Sequence, residues 1–474
     1  MKRIAIIGGG ISGLSAAFTI AEKRQSGTPV EYVLFESAPR VGGVIATERV
    51  DGCLVEAGPD SFLTEKPWAI DLCRKLGLAD QLIGSNDAVR KTYIVVRKNG
   101  KNELVVMPDG LMFMVPTKIL PAMTSPLFSV RTKLRMAVEW LRPPYKASGD
   151  ETVAQMVERH YGPEMVELLA DPLLSGVYGS EASKLSVRAV LPRFADMESR
   201  YGSLGRAMLS SQKKSAVAAQ GPSGPVFTSL KDGMQQMVDA LVSVLDPAVR
   251  RISSPVQSLL RQAGAWTVSA GYNTDQFDAV IIAAPAYVAA TVLEASDEHI
   301  SRELAGISYT SSVTVTLGYD ESVRRALPPG FGFLVPRSAG LRMLAATFVH
   351  NKFPYRAPEN RALIRCFLGG ARDEEILASS NAQILQIVRA ELRDVLGISA
   401  EPLFSRVYKW KSAMAQYSVG HLERLARIQA LCAKLPGLAL AGNGFNGIGV
   451  PDCIRSGTEA ASKILSEMGM WSAA

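Results

Sequence analysis

Histidine is scarce in this chain and cysteine is scattered. Four histidines (His160, His299, His350, His421) and five cysteines (Cys53, Cys73, Cys366, Cys432, Cys453) stand apart over 474 residues, with no CxxC pair among them. An odd, dispersed set of thiols argues against a disulfide framework, and isolated histidines argue against a metal centre. No run of about 18 uninterrupted apolar residues exists, so no segment is expected to span a bilayer. The start, Met-Lys-Arg, runs directly into the strand-like Ile4 to Ile7. It lacks the apolar region and small-residue cleavage site of a signal peptide, and the Arg/Ser richness of a transit peptide. The expectation is a cytoplasmic protein, or one lying peripherally on the cytoplasmic membrane. Lys/Arg-rich runs with interleaved aromatics are missing too, which speaks against a nucleic-acid partner.

What is present describes an ordinary globular chain, 47% hydrophobic and 20% charged. At this length one hydrophobic core does not suffice, and two or three structural units are expected. The net charge of +7 suits an anionic substrate or an anionic membrane surface, as well as plain solubility.

The first 60 residues read as a βαβ unit: strand 2–7, helix 11–24, strand 30–36. Residues 68–84 look helical, and 91–97 with 103–108 alternate as a hairpin around Asn99-Gly100. From 110 to 210 strand patterns give way to helical ones, with 150–171 and 184–209 the clearest. A low-complexity piece at 213–225 reads as a linker or loop. Strand patterns return at 266–270, 278–283, 312–319 and 363–368, followed by a helix at 380–396, a strand near 438–441 and a closing helix at 452–466. The fold class is therefore α/β, with a helical insertion. Segments 1–88, 226–300 and 405–474 form a nucleotide-binding unit, 89–109 and 301–404 a mixed-sheet substrate unit, and 110–225 a helical unit.

Three motifs carry chemistry. Gly8-Gly9-Gly10-Ile11-Ser12-Gly13 gives GxGxxG directly after a strand and opening a helix. Its glycines permit the tight turn, the approach of backbone to a pyrophosphate and close helix–strand packing, while the helix N-terminus holds the phosphates. Glu36, at the end of the second strand, sits where an acid binds the adenosine ribose and disfavours a 2′-phosphate. The second motif, Arg40-Val41-Gly42-Gly43 with Glu56-Ala57-Gly58-Pro59-Asp60-Ser61, is an extension that a nicotinamide cofactor does not need. The glycine pair lets backbone pass the far end of a longer cofactor, and Arg40 can offset phosphate charge. The third is the strand, glycine loop and helix of 438–457, whose helix start can stabilise an anionic reduced flavin, with Asp452 opposing that effect slightly. Together they point to FAD.

In this order the motifs resemble the monoamine-oxidase-like flavoprotein superfamily. The detail of Asp171-Pro172-Leu173-Leu174-Ser175-Gly176-Val177-Tyr178-Gly179, of Trp410-Lys411 with Gln416-Tyr417 and Gly420-His421, and of Gly447 to Gly457 is similar to the protoporphyrinogen oxidase family, along essentially the whole chain. The resemblance implies an FAD-binding Rossmann-like domain of the p-hydroxybenzoate hydroxylase type. It also implies non-covalent FAD, and an oxygen-using oxidase that converts a porphyrinogen to a porphyrin with hydrogen peroxide as product. Carried over by motif, Gly8 to Gly13, Glu36, Ser37, Arg40, Gly42, Gly43, Val44, Gly58, Pro59, Asp60, Ser61, Val256, Trp410, Gly447, Ile448 and Gly449 would contact FAD. Arg90 would pair with a substrate propionate, and Gly176, Leu334, Leu344 and Phe367 would sandwich the macrocycle. No residue is singled out as a general base, because hydride leaves an activated methylene bridge and positioning suffices.

Of the two porphyrinogens oxidised on this scaffold, Arg90 and the Gly176 region lean to protoporphyrinogen IX over coproporphyrinogen III. An amine oxidase, a carotenoid desaturase and a non-catalytic module on the same fold are the other readings. The basic segment 126–146, with Leu127, Val130, Leu134, Val138 and Leu141 at helical spacing, is either a membrane-surface helix or one packed on its own domain. A homodimer is a further expectation.

Overall fold

The computed structural model describes residues 1–218 and 224–471. Its first layer is a five-stranded parallel sheet in the order Arg250–Arg251, Val30–Phe35, Lys2–Ile7, Ala279–Ile282, Leu438–Leu440. Parallel strands buried on both faces need near-continuous apolar runs, which Ile4 to Ile7 and Ala279 to Ile282 provide. Side chains alternate between the two faces. Ile4 and Ile6 pack with the helices Ile11–Gln25, Gln235–Val244 and Val450–Glu467, whereas Ala5 and Ile7 pack with the antiparallel meander of Val256–Gln262, Ala265–Ala270 and Asn273–Phe277. Helices thus cover one side and a small sheet the other.

The second layer is a seven-stranded sheet in the order Phe404–Ala415, Tyr309–Asp320, Arg361–Gly369, Ala345–Phe348, Gly332–Leu334, Thr92–Lys98, Lys101–Val106. It is mixed, because Gly332–Leu334 runs parallel to Thr92–Lys98 while the other pairs are antiparallel. The hairpin turns at Asn99 and Gly100, both with positive φ (50° and 80°), as a two-residue primed turn requires. The strand Phe404–Ala415 belongs here and not to the nucleotide unit, into which the sequence division placed everything from 405 onward. Its alternation is masked by a run of charged and aromatic residues. Residues 68–84 are likewise only partly helical: helix Pro67–Lys75 gives way to a short turn and the strand Leu82–Gly84, which pairs with Phe227–Leu230.

A helical unit fills 119–218, with its own core of Leu127, Phe128, Met136, Val153, Val157, Tyr161, Leu169 and Leu174. This core also takes in Ile94, with Leu334 packed against it, so the helices rest on one face of the seven-stranded sheet. The low-complexity piece begins inside a helix, Leu204–Ala218, and not in a linker; its residues 219–223 lie outside the described residues. Among the described residues no helix is long and apolar enough to cross a membrane.

Candidate functional site

The first helix starts against the sheet as tightly as backbone allows. A Cβ on Gly13 would collide with the Gly8 carbonyl, and Gly8 itself has φ of +106°. Gly10, the N-cap, faces open space, with no side-chain cap and no acid in the first turn of the helix. Its free amides and positive end therefore suit a diphosphate. Glu36 is buried and fixed: Gly9 N–H donates to its Oε2 at 2.7 Å, and Ala38 N–H and Ser37 Oγ donate to its Oε1 at 2.7 and 3.3 Å. Ser254 N–H donates to the Glu36 carbonyl at 2.8 Å, which brings the strand of Val256 beside it.

Arg40 departs from expectation in its partners. Its guanidinium donates to the carbonyls of Val41 (3.1 Å), Gly43 (2.6 Å) and Ile45 (3.0 Å), so it clasps the Gly42-Gly43 turn, which Gly10 approaches closely. Its charge remains available; its hydrogen bonds are used on the loop.

The closing helix, Val450–Glu467, crosses the first one at Gly457, where a Cβ would press on the backbone of Ser12. This crossing sets the first turn of the first helix against the closing helix eight residues past its N-cap, Gly449, which the half-buried Gly447 and Ile448 precede. Asp452, which weakens the positive end of the helix, is paired with Lys66 Nζ at 2.6 Å. The loop before it is held by Tyr417, whose hydroxyl accepts from Gly447 N–H and donates to the Asn443 carbonyl, both at 2.8 Å, with His421 stacked on its ring at 4.1 Å. Burial pushes the Cys453 thiol up to about 12, so it stays protonated and is a poor point of covalent attachment.

The segment Glu56–Ser61 bridges the two units. Thr314 Oγ1 (2.9 Å) and Trp410 Nε1 (2.8 Å) donate to the Ala57 carbonyl, and Arg365 donates to the Gly58 carbonyl. Gly58 has no room for a side chain, because Val44 backbone fills that space. Strand register then sets the neighbours. Ile94 lies beside Leu334, Leu334 beside Ala345, Ala345 beside Phe367, and Phe367 beside Thr314. Directly paired residues share a face, so Leu334 and Phe367, both half-buried, form an apolar row next to the Ala57-Gly58 segment. Leu344 is enclosed at 3% exposure and joins the row through its N–H, which donates to the Phe367 carbonyl at 2.8 Å. Gly176 is exposed, with open space where a side chain would stand, on the helix Asp171–Tyr178 that packs by the strand of Leu334. That helix ends at Gly179, whose carbonyl accepts from Ala371 N–H at 2.7 Å, just beyond Phe367. Arg90 lies two residues before the strand Thr92–Lys98, exposed, and its guanidinium has no partner among the described residues.

Sequence reading missed the cations under this row. Lys352 Nζ lies 3.1 Å from both Asp60 carboxylate oxygens and from Ser61 Oγ. Burial pushes the Asp60 carboxyl up, but Lys352, Arg365 and the Ser61 hydroxyl more than offset this and hold it well below the usual range. Arg356, buried, pairs with Glu56 and donates to Ser229 Oγ at 2.6 Å. None of these cations belongs to a glycine motif, and in sequence they stand isolated on or near apolar strands.

A family model described as flavin containing amine oxidoreductase matches residues 11–465. The coproporphyrinogen III oxidase of Bacillus subtilis is 34% identical, covering 98% of each chain. The protoporphyrinogen oxidase 2 of Arabidopsis thaliana is 28% identical, covering 98% of this chain and 94% of that one. A crystal structure of a protein described as a putative protoporphyrinogen oxidase, from an Exiguobacterium species, superposes with a TM-score of 0.87 at 28% identity, covering 99% of each chain. The chain therefore belongs to the flavin containing amine oxidoreductase family, in the branch of the coproporphyrinogen III and protoporphyrinogen oxidases, and it is an FAD-dependent oxidoreductase.

Proposed function

We propose that this protein oxidises a porphyrinogen to the corresponding porphyrin in haem biosynthesis, with molecular oxygen as final acceptor. The observation that carries this reading is the apolar row of Leu334 and Phe367 beside Ala57-Gly58, with Arg90, unpartnered among the described residues, just before the neighbouring strand. FAD supplies the two-electron acceptor. The glycine turn at Gly8 to Gly13, Glu36 with Ser37, Gly42 to Val44, Gly58 to Ser61, Val256, Trp410 and Gly447 to Gly449 would hold it. A flat macrocycle would lie against Leu334 and Phe367, with Gly176 leaving room above it and Leu344 keeping the strands in register. Arg90 would bind a peripheral carboxylate, because a guanidinium pairs with it in bidentate fashion. No base is required of the protein, and the acids nearest the row, Asp60 and Glu56, are paired with Lys352 and Arg356.

Both substrates carry carboxylates, so Arg90 does not separate them. The relatives favour coproporphyrinogen III, the Bacillus oxidase being 34% identical against 28% for the Arabidopsis one. The test is aerobic turnover of coproporphyrinogen III and protoporphyrinogen IX, followed by porphyrin fluorescence and peroxide. Faster oxidation of the first is the expected result. Porphyrin formed no faster than spontaneously from either, by protein that holds FAD, would refute the assignment.

We infer further that the helical unit rests on an anionic membrane surface. The helix Val130–Glu139 and the turn after it present an apolar side outward: Val130, Leu134, Val138 and, just past the helix, Leu141 are 60% exposed or more. Leu127, counted with them from sequence, is instead buried, because it precedes the helix and drops into the core. Arg131, Lys133, Arg135 and Lys146 flank the stripe. Such a surface gains from apolar insertion and from anionic headgroups together. Co-sedimentation with phosphatidylglycerol vesicles but not with phosphatidylcholine vesicles is expected, and equal recovery in both supernatants would overturn it.

A further inference from the structure

Beneath Phe367 the charges do not cancel. Three cations, Lys352, Arg356 and Arg365, face two carboxylates, Glu56 and Asp60, in one enclosed cluster. Arg356 is closed on Glu56, and Lys352 takes both oxygens of Asp60. The adjoining Arg406 is closed on Glu48 at 2.9 Å. Arg365 is left over. It is 4% exposed, its nearest carboxylate oxygen, on Asp60, lies 4.0 Å away, and its Nε has no hydrogen-bond partner among the described residues. Its hydrogen bond goes to the neutral Gly58 carbonyl, and its guanidinium lies 4.9 Å from the centre of the Phe367 ring.

A buried guanidinium without a carboxylate of its own costs several kcal/mol. Folding alone would be served better by an apolar side chain on this strand. The surplus makes sense if negative charge arrives nearby during the reaction. Arg365 touches the two elements between which it would arrive: the backbone of Gly58, on the segment proposed to contact FAD, and Phe367, proposed to contact the macrocycle. A reduced flavin is anionic, and fixed charge near it tunes its potential.

We propose that Arg365 is a positioning residue whose uncompensated charge raises the reduction potential of the bound FAD, with Asp60 and Lys352 setting its size. The inference rests on the flavin assignment above. Because the effect is electrostatic, it reverses sign with the sign of the charge removed. Arg365→Met and Lys352→Met remove positive charge and lower the potential; Asp60→Asn removes negative charge and raises it. Arg365→Lys keeps the charge and stays close to the native value. A packing defect would move all of these the same way.

The readouts are the two-electron midpoint potential, by dye equilibration, and the affinity of the oxidised flavin for sulfite, both on FAD-loaded protein. Arg365→Met is expected to lower the midpoint potential by ~30 mV, a tenfold change in the reduction equilibrium of a two-electron couple, and to bind sulfite more weakly, and Asp60→Asn to bind it more tightly than native protein. If Arg365→Met does not retain FAD, Lys352→Met and Asp60→Asn carry the same test of sign. Shifts in one direction throughout, shifts under about threefold, or loss of FAD from every variant including Arg365→Lys would overturn the proposal. Native turnover of porphyrinogen is measured alongside. If it is present while the potentials fail to diverge, only this inference falls; if it is absent, the function proposed above falls instead.

Discussion

Gly457 tests whether the crossing of the two helices governs the cofactor site. A Cβ built there lies 2.9 and 3.1 Å from the carbonyl carbon and Cα of Ser12, closer still to its oxygen, and ordinary contact begins at 3.4 Å. Every neighbour is backbone, so no side chain can swing away. The helices Ile11–Gln25 and Val450–Glu467 would have to part by roughly 1 Å, a displacement that can cost on the order of a hundredfold in a positioned reaction. Overpacking of this kind costs about 1–3 kcal/mol. The same displacement moves Gly10 and Gly449 apart, so most of the cost falls on FAD binding, which at 1.4 kcal/mol per tenfold means about 5- to 150-fold weaker affinity. The assay is titration of apoprotein with FAD, with thermal melts in the presence and absence of FAD. Gly149→Ala, an exposed position with nothing within 4 Å, is the control. Gly457→Ala protein that binds FAD within twofold of native would refute the argument, whatever its melting temperature.

The remaining predictions concern the substrate, the helical unit and its surface. Arg90→Ala should raise KM for a porphyrinogen by about 10- to 150-fold, the value of a charge-assisted hydrogen bond of 1.5–3 kcal/mol, and leave kcat nearly unchanged. Arg90→Lys should recover only part, and equal KM values for all three proteins would remove Arg90 from the site. His160 is buried between Glu139 (3.1 Å) and Glu198 (2.8 Å). Burial pushes the imidazole down, but its hydrogen bonds to both carboxylates more than offset this and raise its pKa. Its stabilisation is therefore complete below the unfolded value of about 6.5 and is lost as pH climbs through the raised folded value. Native protein should lose melting temperature across that window, while His160→Gln, already weakened by about 3–5 kcal/mol because buried Glu139 loses its cationic partner while Glu198 keeps Arg159, should be flatter there. Parallel curves would refute the assignment of the charge. Leu134→Glu with Val138→Glu should abolish sedimentation with anionic vesicles without changing the melt, since neither side chain packs in the core; unchanged sedimentation would leave the stripe without that role.

The nucleotide unit was legible because each of its demands falls on a few adjacent residues. Close backbone approach needs glycine, and Gly8, Gly13, Gly58 and Gly457 stand where a Cβ has no space. An uncapped helix start needs no cap, and Gly10 provides none. The apolar row proposed for the substrate came only from the resemblance, because register, not local sequence, makes Leu334 and Phe367 neighbours across Ala345. Arg365 and Lys352 escaped notice for the same reason. In sequence they are isolated cations on or near apolar strands; their meaning comes from Asp60, some three hundred residues earlier in the chain.

The helix Val130–Glu139 marks a different limit. Its periodicity was plain, and periodicity says that the apolar residues share a face, but it is silent on which way the face points. The inward side is settled by contacts that come from elsewhere: Glu139 accepts from Ser203 Oγ at 2.9 Å and from the Leu204 amide at 2.6 Å, and meets His160 at 3.1 Å. A buried carboxylate with three partners outweighs the burial of one or two leucines, since removing those partners would strand a charge at a cost of several kcal/mol. The polar anchor therefore goes in, and Leu134, Val138 and Leu141 go out. If Glu139 is the anchor, Glu139→Leu should free the helix to roll its apolar face inward, lowering hydrogen-exchange protection at Leu204 and weakening vesicle binding together. Loss of protection with vesicle binding unchanged would mean that the outward stripe is held by the rest of the fold and not by this carboxylate.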